Sequence, residues 1–144
     1  MKKRNKILLI VLVVLIPIVW FVVGRIKNSA KDALLERWKD VKLPQSASVK
    51  EEYSDVGFHG EGSTILKVEA NEKDIKGTDL ERGKDIDVAP RFSELVENIN
   101  EKSKKNIELN NLEYVSIHEK KEKSGKLVFT YSEKDKCYYL FEDK

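Results

Sequence analysis

Apolar positions follow two regimes along this chain. From Ile7 to Gly24 they are continuous, ILLIVLVVLIPIVWFVVG, with no charge between Lys6 and Arg25. Eighteen residues at about 1.5 Å rise make a helix of roughly 27 Å, close to the hydrocarbon thickness of a bilayer. The run predicts a transmembrane anchor over 7–24. Pro17 is tolerated in such a helix, and Trp20 suits its interfacial end. Beyond it the apolar residues become periodic. Ala30, Ala33, Leu34, Trp38 and Val41 recur every three or four positions and form one stripe. A juxtamembrane amphipathic helix is therefore expected over 25–43, ended at Leu43-Pro44 because the residue before a proline resists the helical region.

The rest alternates. Val49 and Tyr53 mark an edge-like strand over 48–54, and Leu66 and Val68 mark a second over 64–70. Asn71 suits an N-cap, so a short helix is expected there. Residues 81–90 read as loop. Pro90 then opens the clearest soluble helix, with Phe92, Leu95, Val96 and Ile99 on one face. Lys102, Lys104 and Lys105 crowd its last turn, Glu101 and Lys105 form an i,i+4 pair, and Asn106 is the expected stop. Three strands follow over 113–118, 127–131 and 137–141, with a charged turn over 120–125. The last two strands are apolar on both faces, so they form a hairpin in the best-buried part of the sheet. The expected fold class is α+β: an N-terminal transmembrane helix, then a small domain with a mostly antiparallel sheet of about five strands and two or three helices packed on one face.

Charge divides the chain the same way. Lys2, Lys3, Arg4, Lys6, Arg25, Lys27 and Lys31 fall in the first 31 residues, with no acid among them. Taking those seven from the 27 Lys and Arg of the whole chain leaves 20, against all 25 Asp and Glu, a net of −5 for the remainder. The overall positive charge thus belongs to the membrane segment, and nucleic acid is not an expected partner. The apolar run ends in Trp20, Phe21, Val22 and Val23, which makes a poor cleavage site, so a retained signal anchor fits better than a removed leader. Four basic residues in the first six set the N-terminus inside. The expected order is a cytoplasmic stub over 1–6, the anchor over 7–24, the juxtamembrane helix over 25–43 and an extracytoplasmic domain over 44–144. The lipid bilayer is the first partner this implies.

Candidate chemistry is sparse. The stretch Asp55-Val56-Gly57-Phe58-His59-Gly60-Glu61-Gly62 places three glycines and three ionisable groups between two strands. One reading is a cation site or His–carboxylate pair built from Asp55, His59 and Glu61. The other is a tight turn in which glycines set the backbone and Phe58 packs inward. One His with two acids at this spacing matches no established ligand pattern. A phosphate cradle would open a helix, whereas this loop is acidic and leads into a strand. His118 is expected to be exposed at a strand end, and Cys137, the lone cysteine, to be a small buried residue. Tyr131, Tyr138, Tyr139 and Phe141 could stack a ligand, but at strand alternation they read as core. No catalytic set, metal site or cofactor is expected.

The helix ending at Leu43-Pro44, the loop Asp55 to Gly62 and the run Cys137-Tyr138-Tyr139-Leu140 together resemble small single-pass membrane proteins of Gram-positive bacteria. Those proteins carry an Asp-x-Gly-Gly-Phe-His-Gly-Asp-Gly-like loop. Val56 stands where they have glycine, and Glu61 where they have Asp. The resemblance implies a membrane-anchored α+β architecture at a Gram-positive cell surface and brings no activity with it. The leading expectation is a non-enzymatic interaction module whose partner is an envelope protein or peptide, or a wall component. The alternative is a small ligand- or metal-binding domain using the 55–62 loop, with hydrolysis as one activity open to it.

Overall fold

The computed structural model describes residues 3–83, 86–87, 90–120 and 125–144, and within its first helix the side chains of 13–23 and of 29 onward. The first helix, α1, spans Lys3–Arg37, with Pro17 inside it. Among the described residues no helical stretch is long and apolar enough to cross a membrane. Of the expected span over 7–24, the side chains of 7–12 and of 24 lie outside the description, and parts of the 1–6 stub, the 81–90 loop and the 120–125 turn lie outside the described residues.

The strands are β1 (Ser48–Ser54), β2 (Ser63–Glu69), β3 (Leu112–Glu119), β4 (Lys126–Ser132) and β5 (Cys137–Asp143), and the second α-helix, α2, is Pro90–Ser103. They form one antiparallel sheet in the order β1-β2-β5-β4-β3. The expected α+β class and the β4–β5 hairpin are therefore present, and β5 is the central strand. Among the described residues β1 pairs with β2 alone, and it carries a register break between Glu51 and Tyr53, a common device on exposed sheet edges.

The helices do not share a face. Leu66, Phe129 and Leu140 lie side by side on one face, under Leu34 of α1 and Trp38 just beyond it. Ile65, Val128 and Phe141 occupy the other, under Phe92, Val96 and Ile99 of α2. The single covered face expected from the sequence is thus corrected to two. The reason is already visible in β4 and β5: strands apolar on both faces need cover on both.

Three local expectations also change. α1 stops at Arg37, short of Leu43-Pro44. The Lys31 ammonium donates to the carbonyls of Pro44, Gln45 and Ala47 at 2.9, 3.1 and 3.2 Å, which draws the chain back along the helix. Residues 72–74 form only a 3-10 turn, and Asn71 makes no side-chain cap. α2 ends at Ser103, where the Asn100 side chain closes the chain onto Ile107 through bonds of 2.9 and 3.1 Å. Lys102 and Lys105 reach across to Asp55 and Glu52 at 2.8 and 3.6 Å.

These contacts fix the direction of α1. Lys31 holds the segment just before β1, and Arg37 and Trp38 reach Glu142 beside the start of β2. The helix therefore runs alongside β1 in the same sense. The 55–62 loop, between β1 and β2, sits at the end of the domain remote from the apolar half of α1.

Candidate functional site

The loop is braced from within. Asp55 N–H donates to Ser63 O at 3.0 Å, extending the β1–β2 ladder by one step, and Gly57 N–H reaches Glu61 O at 2.8 Å. Gly60 N–H returns to Gly57 O at 3.0 Å. Gly62 has φ +141°, and a Cβ there would fall 2.8 Å from both Asp55 O and the Val56 Cα. Only glycine allows that approach.

Asp55 lies at the rim, and both of its carboxylate oxygens are engaged. Its Oδ1 accepts from Ser63 N–H at 2.5 Å, and its Oδ2 lies 2.8 Å from the Lys102 ammonium. The Lys102 hydrogen bond, followed by that from Ser63, holds its carboxyl below the usual carboxylate range. His59 and Glu61 are exposed. The described residues contain no cluster of three His, Cys, Asp or Glu side chains able to hold a metal ion. The sequence suggested that Phe58 packs inward within a turn; instead its ring is 101% exposed, edge-on to His59 at 5.7 Å. Val56, at 37%, is the second large apolar side chain on display here. Outside α1 these two are the exposed large hydrophobic residues among those described. The loop thus brings together an apolar tip and one carboxylate, Glu61, on a rigid base.

A second polar constellation lies where α1 meets the sheet. Glu142 projects from β5 onto the α1 face, with its side chain 1% exposed. Arg37 Nε and Nη2 each donate to one carboxylate oxygen at 2.9 Å, and Trp38 Nε1 donates to Oε1 at 2.7 Å. Lys144 Nζ lies 3.5 Å from Oε2. Burial pushes the Glu142 carboxyl up, but the hydrogen bonds from Arg37 and Trp38 and the charges of Arg37 and Lys144 outweigh it and hold the group below its ordinary value. Lys144 N–H donates to Gly62 O at 2.9 Å and Lys144 Nζ to the Thr64 hydroxyl at 3.2 Å. The end of α1 is thereby joined through β5 to the base of the loop. Sequence reading missed Glu142, yet alternation offers the signal: Tyr138, Leu140 and Glu142 share a face, so an acid there must be buried with a partner.

The remaining candidates are structural. His118 is corrected from exposed to half-buried: its Nε2 lies 3.1 Å from Asp79 Oδ1, and its ring tilts against Phe129 at 5.8 Å. Asp79 in turn exchanges bonds with the backbone of Lys42, at 2.6 and 2.9 Å, which ties the chain after α1 to the β3 side. Cys137 is buried, and burial raises its thiol pKa, so little nucleophilic thiolate is available. Tyr131 and Tyr138 pack edge to face at 4.9 Å in the core, and burial raises Tyr138 to about 12. Arg82 lies 3.8 Å over the Tyr131 ring and is tied to Glu113 and Glu133. No protein-family model matches this chain, and no curated protein and no solved structure matches it either.

Proposed function

We propose that this protein is a single-pass membrane protein whose acidic α+β domain is held outside the cytoplasmic membrane as a binding module for an envelope protein or peptide. The observation that carries this reading is α1. Its described side chains from Val13 to Val23 are all exposed, Trp20 to 79%, while nearer its C-terminal end the same helix buries Leu34 in the domain. A helix whose described apolar side chains stand exposed on every side requires an apolar solvent. The run from Ile7 to Gly24 has the length for a bilayer, and the basic residues before it set the orientation.

The domain has the character of a tethered binder. It is fixed to its helix by Lys31, Arg37 and Trp38, so a bound partner is held at a defined height and orientation. A ligand- or metal-site reading of the loop gains little from the geometry, because both Asp55 oxygens are already engaged by Ser63 and Lys102.

A topology fusion tests the proposal. A reporter active only outside the membrane, fused after Lys144, should be active, and the chain should resist alkaline extraction from membranes. A cytoplasmic reading would remove the envelope role. Release by alkali would remove the anchor.

A further inference from the structure

One end of the domain is turned toward the apolar half of α1. β1 begins there, β2 ends there, and the turn 133–136 joins β4 to β5 there. Lys31 holds the segment 44–47 to the helix at that level. The turn 72–74 lies at the same end, just after Asn71, whose N–H donates to the Ser46 hydroxyl at 3.4 Å. α1 is unbroken from the apolar run, through Gly24, to Arg37. From Gly24, which closes the run, to Lys31 the helix climbs about 10 Å. Headgroups add roughly 5–8 Å beyond the hydrocarbon on each side of a bilayer. A domain gripped at Lys31 therefore has this end at the headgroups and no deeper. Its surface suits that position. Gln45, Ser46, Lys73, Lys134 and Asp135 are exposed here, and acids and lysines alternate along the turns 72–74 and 133–136. Outside α1 the exposed large hydrophobic residues among those described are Val56 and Phe58, at the far end. Among the described residues this end thus offers polar groups to headgroups, and no large apolar side chain to insert below them.

We infer that α1 is a rigid spacer that stands the domain upright on the bilayer, with segments 44–47, 72–74 and 133–136 resting on lipid headgroups and the 55–62 loop facing away. The inference rests on the membrane tether proposed above. Contacts on successive turns keep the domain from swinging about the helix. Lys31 is bonded to three carbonyls, Leu34 is buried against the sheet, and Arg37 and Trp38 both hold Glu142. A pivot would have to break them together. From Gly24 to Arg37 the helix rises about 20 Å. Arg37 meets Glu142, and Glu142 lies opposite Thr64 at the base of the loop. An average helix tilt of about 20° shortens that height by less than a tenth. The loop is therefore held clear of the headgroups. Of the two ends, only the loop end is open to a partner in the aqueous phase.

The test uses the full chain with a single fluorophore attached through Lys73→Cys, Lys134→Cys or Phe58→Cys. The native thiol at Cys137 is buried, and the unsubstituted chain serves as the labelling blank. Each protein is reconstituted into vesicles of phosphatidylcholine and phosphatidylglycerol, a fraction of which carry a nitroxide on the headgroup. Labels at 73 and 134 should be quenched at least about threefold more than the label at 58, since only they lie at headgroup depth. A nitroxide deep on the acyl chain should quench none of the three. Seven helix-forming residues inserted after Lys27 add two turns and about 10 Å while keeping the helix face. That insertion, remote from the domain core, should bring the labels at 73 and 134 down to the level of the label at 58. Equal quenching at both ends overturns the inference, because the domain then lies flat or tumbles. Quenching that ignores the insertion overturns it, and so does quenching of the label at 58 by the deep nitroxide. Flotation of the vesicles keeps the two readings apart. A chain that does not float refutes the tether, and this inference with it. A chain that floats with its labels at 73 and 134 unquenched refutes the inference alone.

Discussion

Asp55 and Glu142 are built from the same parts and have different consequences. Each carboxylate accepts from an N–H donor and faces a basic side chain, Lys102 for Asp55 and Arg37 for Glu142. Asp55 sits at the rim, with its side chain 26% exposed, and Lys102 is more open still. Glu142 is 1% exposed. Water competes for the first pair and is excluded from the second. The same chemistry therefore shapes a loop at one place and holds a helix to a sheet at the other.

The sharpest way to break this comparison is to remove the cation from the buried pair. Arg37→Met leaves Glu142 charged, buried and short of a partner, and should lower stability by about 3 kcal/mol in urea unfolding followed by tryptophan fluorescence. Adding Glu142→Leu to that variant should recover most of the loss. A flat response to Arg37→Met would place the burden of the junction on Trp38 and Leu34 instead.

Backbone changes in the loop should follow in size. Gly62→Ala puts a Cβ 2.8 Å from backbone atoms at φ +141° and should cost about 2–3 kcal/mol. Gly60→Ala, at φ +81° with open space around it, should cost only about 1 kcal/mol. Equal costs would show that the loop does not hold its braced geometry.

Acid should separate the wild type from Glu142→Gln. The Glu142 carboxyl is lowered in the folded state from 4.5, so its contribution is present above that value and is lost as pH falls through the lower folded pKa. The wild type should lose stability below about pH 4.5 with a steeper limb than Glu142→Gln. Parallel limbs would mean that other carboxylates carry the acid response.

The smallest effects belong to the rim. Lys102→Ala should leave the urea midpoint unchanged within error, because both partners are open to solvent. Phe58→Ser should also leave it unchanged, since that ring buries nothing within the chain. A clear loss from Phe58→Ser would mean that the tip packs inward after all.

Much of this architecture was legible before any coordinates. The stripe of Phe92, Val96 and Ile99 announced α2, and the alternation through Leu127, Phe129 and Tyr131 announced β4. Apolar residues on both faces of β4 and β5 were visible in the alternation, yet the helices were expected on one face, because spacing alone assigns no helix to a side of the sheet. The loop was legible as a glycine-rich link between strands, but not the direction of its side chains. Asp55 is held by Ser63 and Lys102, eight and 47 positions away, partners that its own neighbourhood in sequence does not reveal. Phe58 turned outward because the bonds between Gly57, Gly60 and Glu61 close the loop beneath it.

The sequence by itself determined the elements, the separation of a basic apolar segment from an acidic domain, and the antiparallel class of the sheet. Those follow from periodicity and local backbone preference, which act over a few residues. Only the tertiary structure decided where α1 ends, that the sheet is covered on both faces, and that Glu142 rather than the 55–62 loop is the most deeply engaged acid. These outcomes depend on pairs such as Arg37 and Glu142, 105 residues apart, whose value comes from the exclusion of water at their meeting point. No local pattern encodes that exclusion, because it exists only once the sheet and both helices have closed around it.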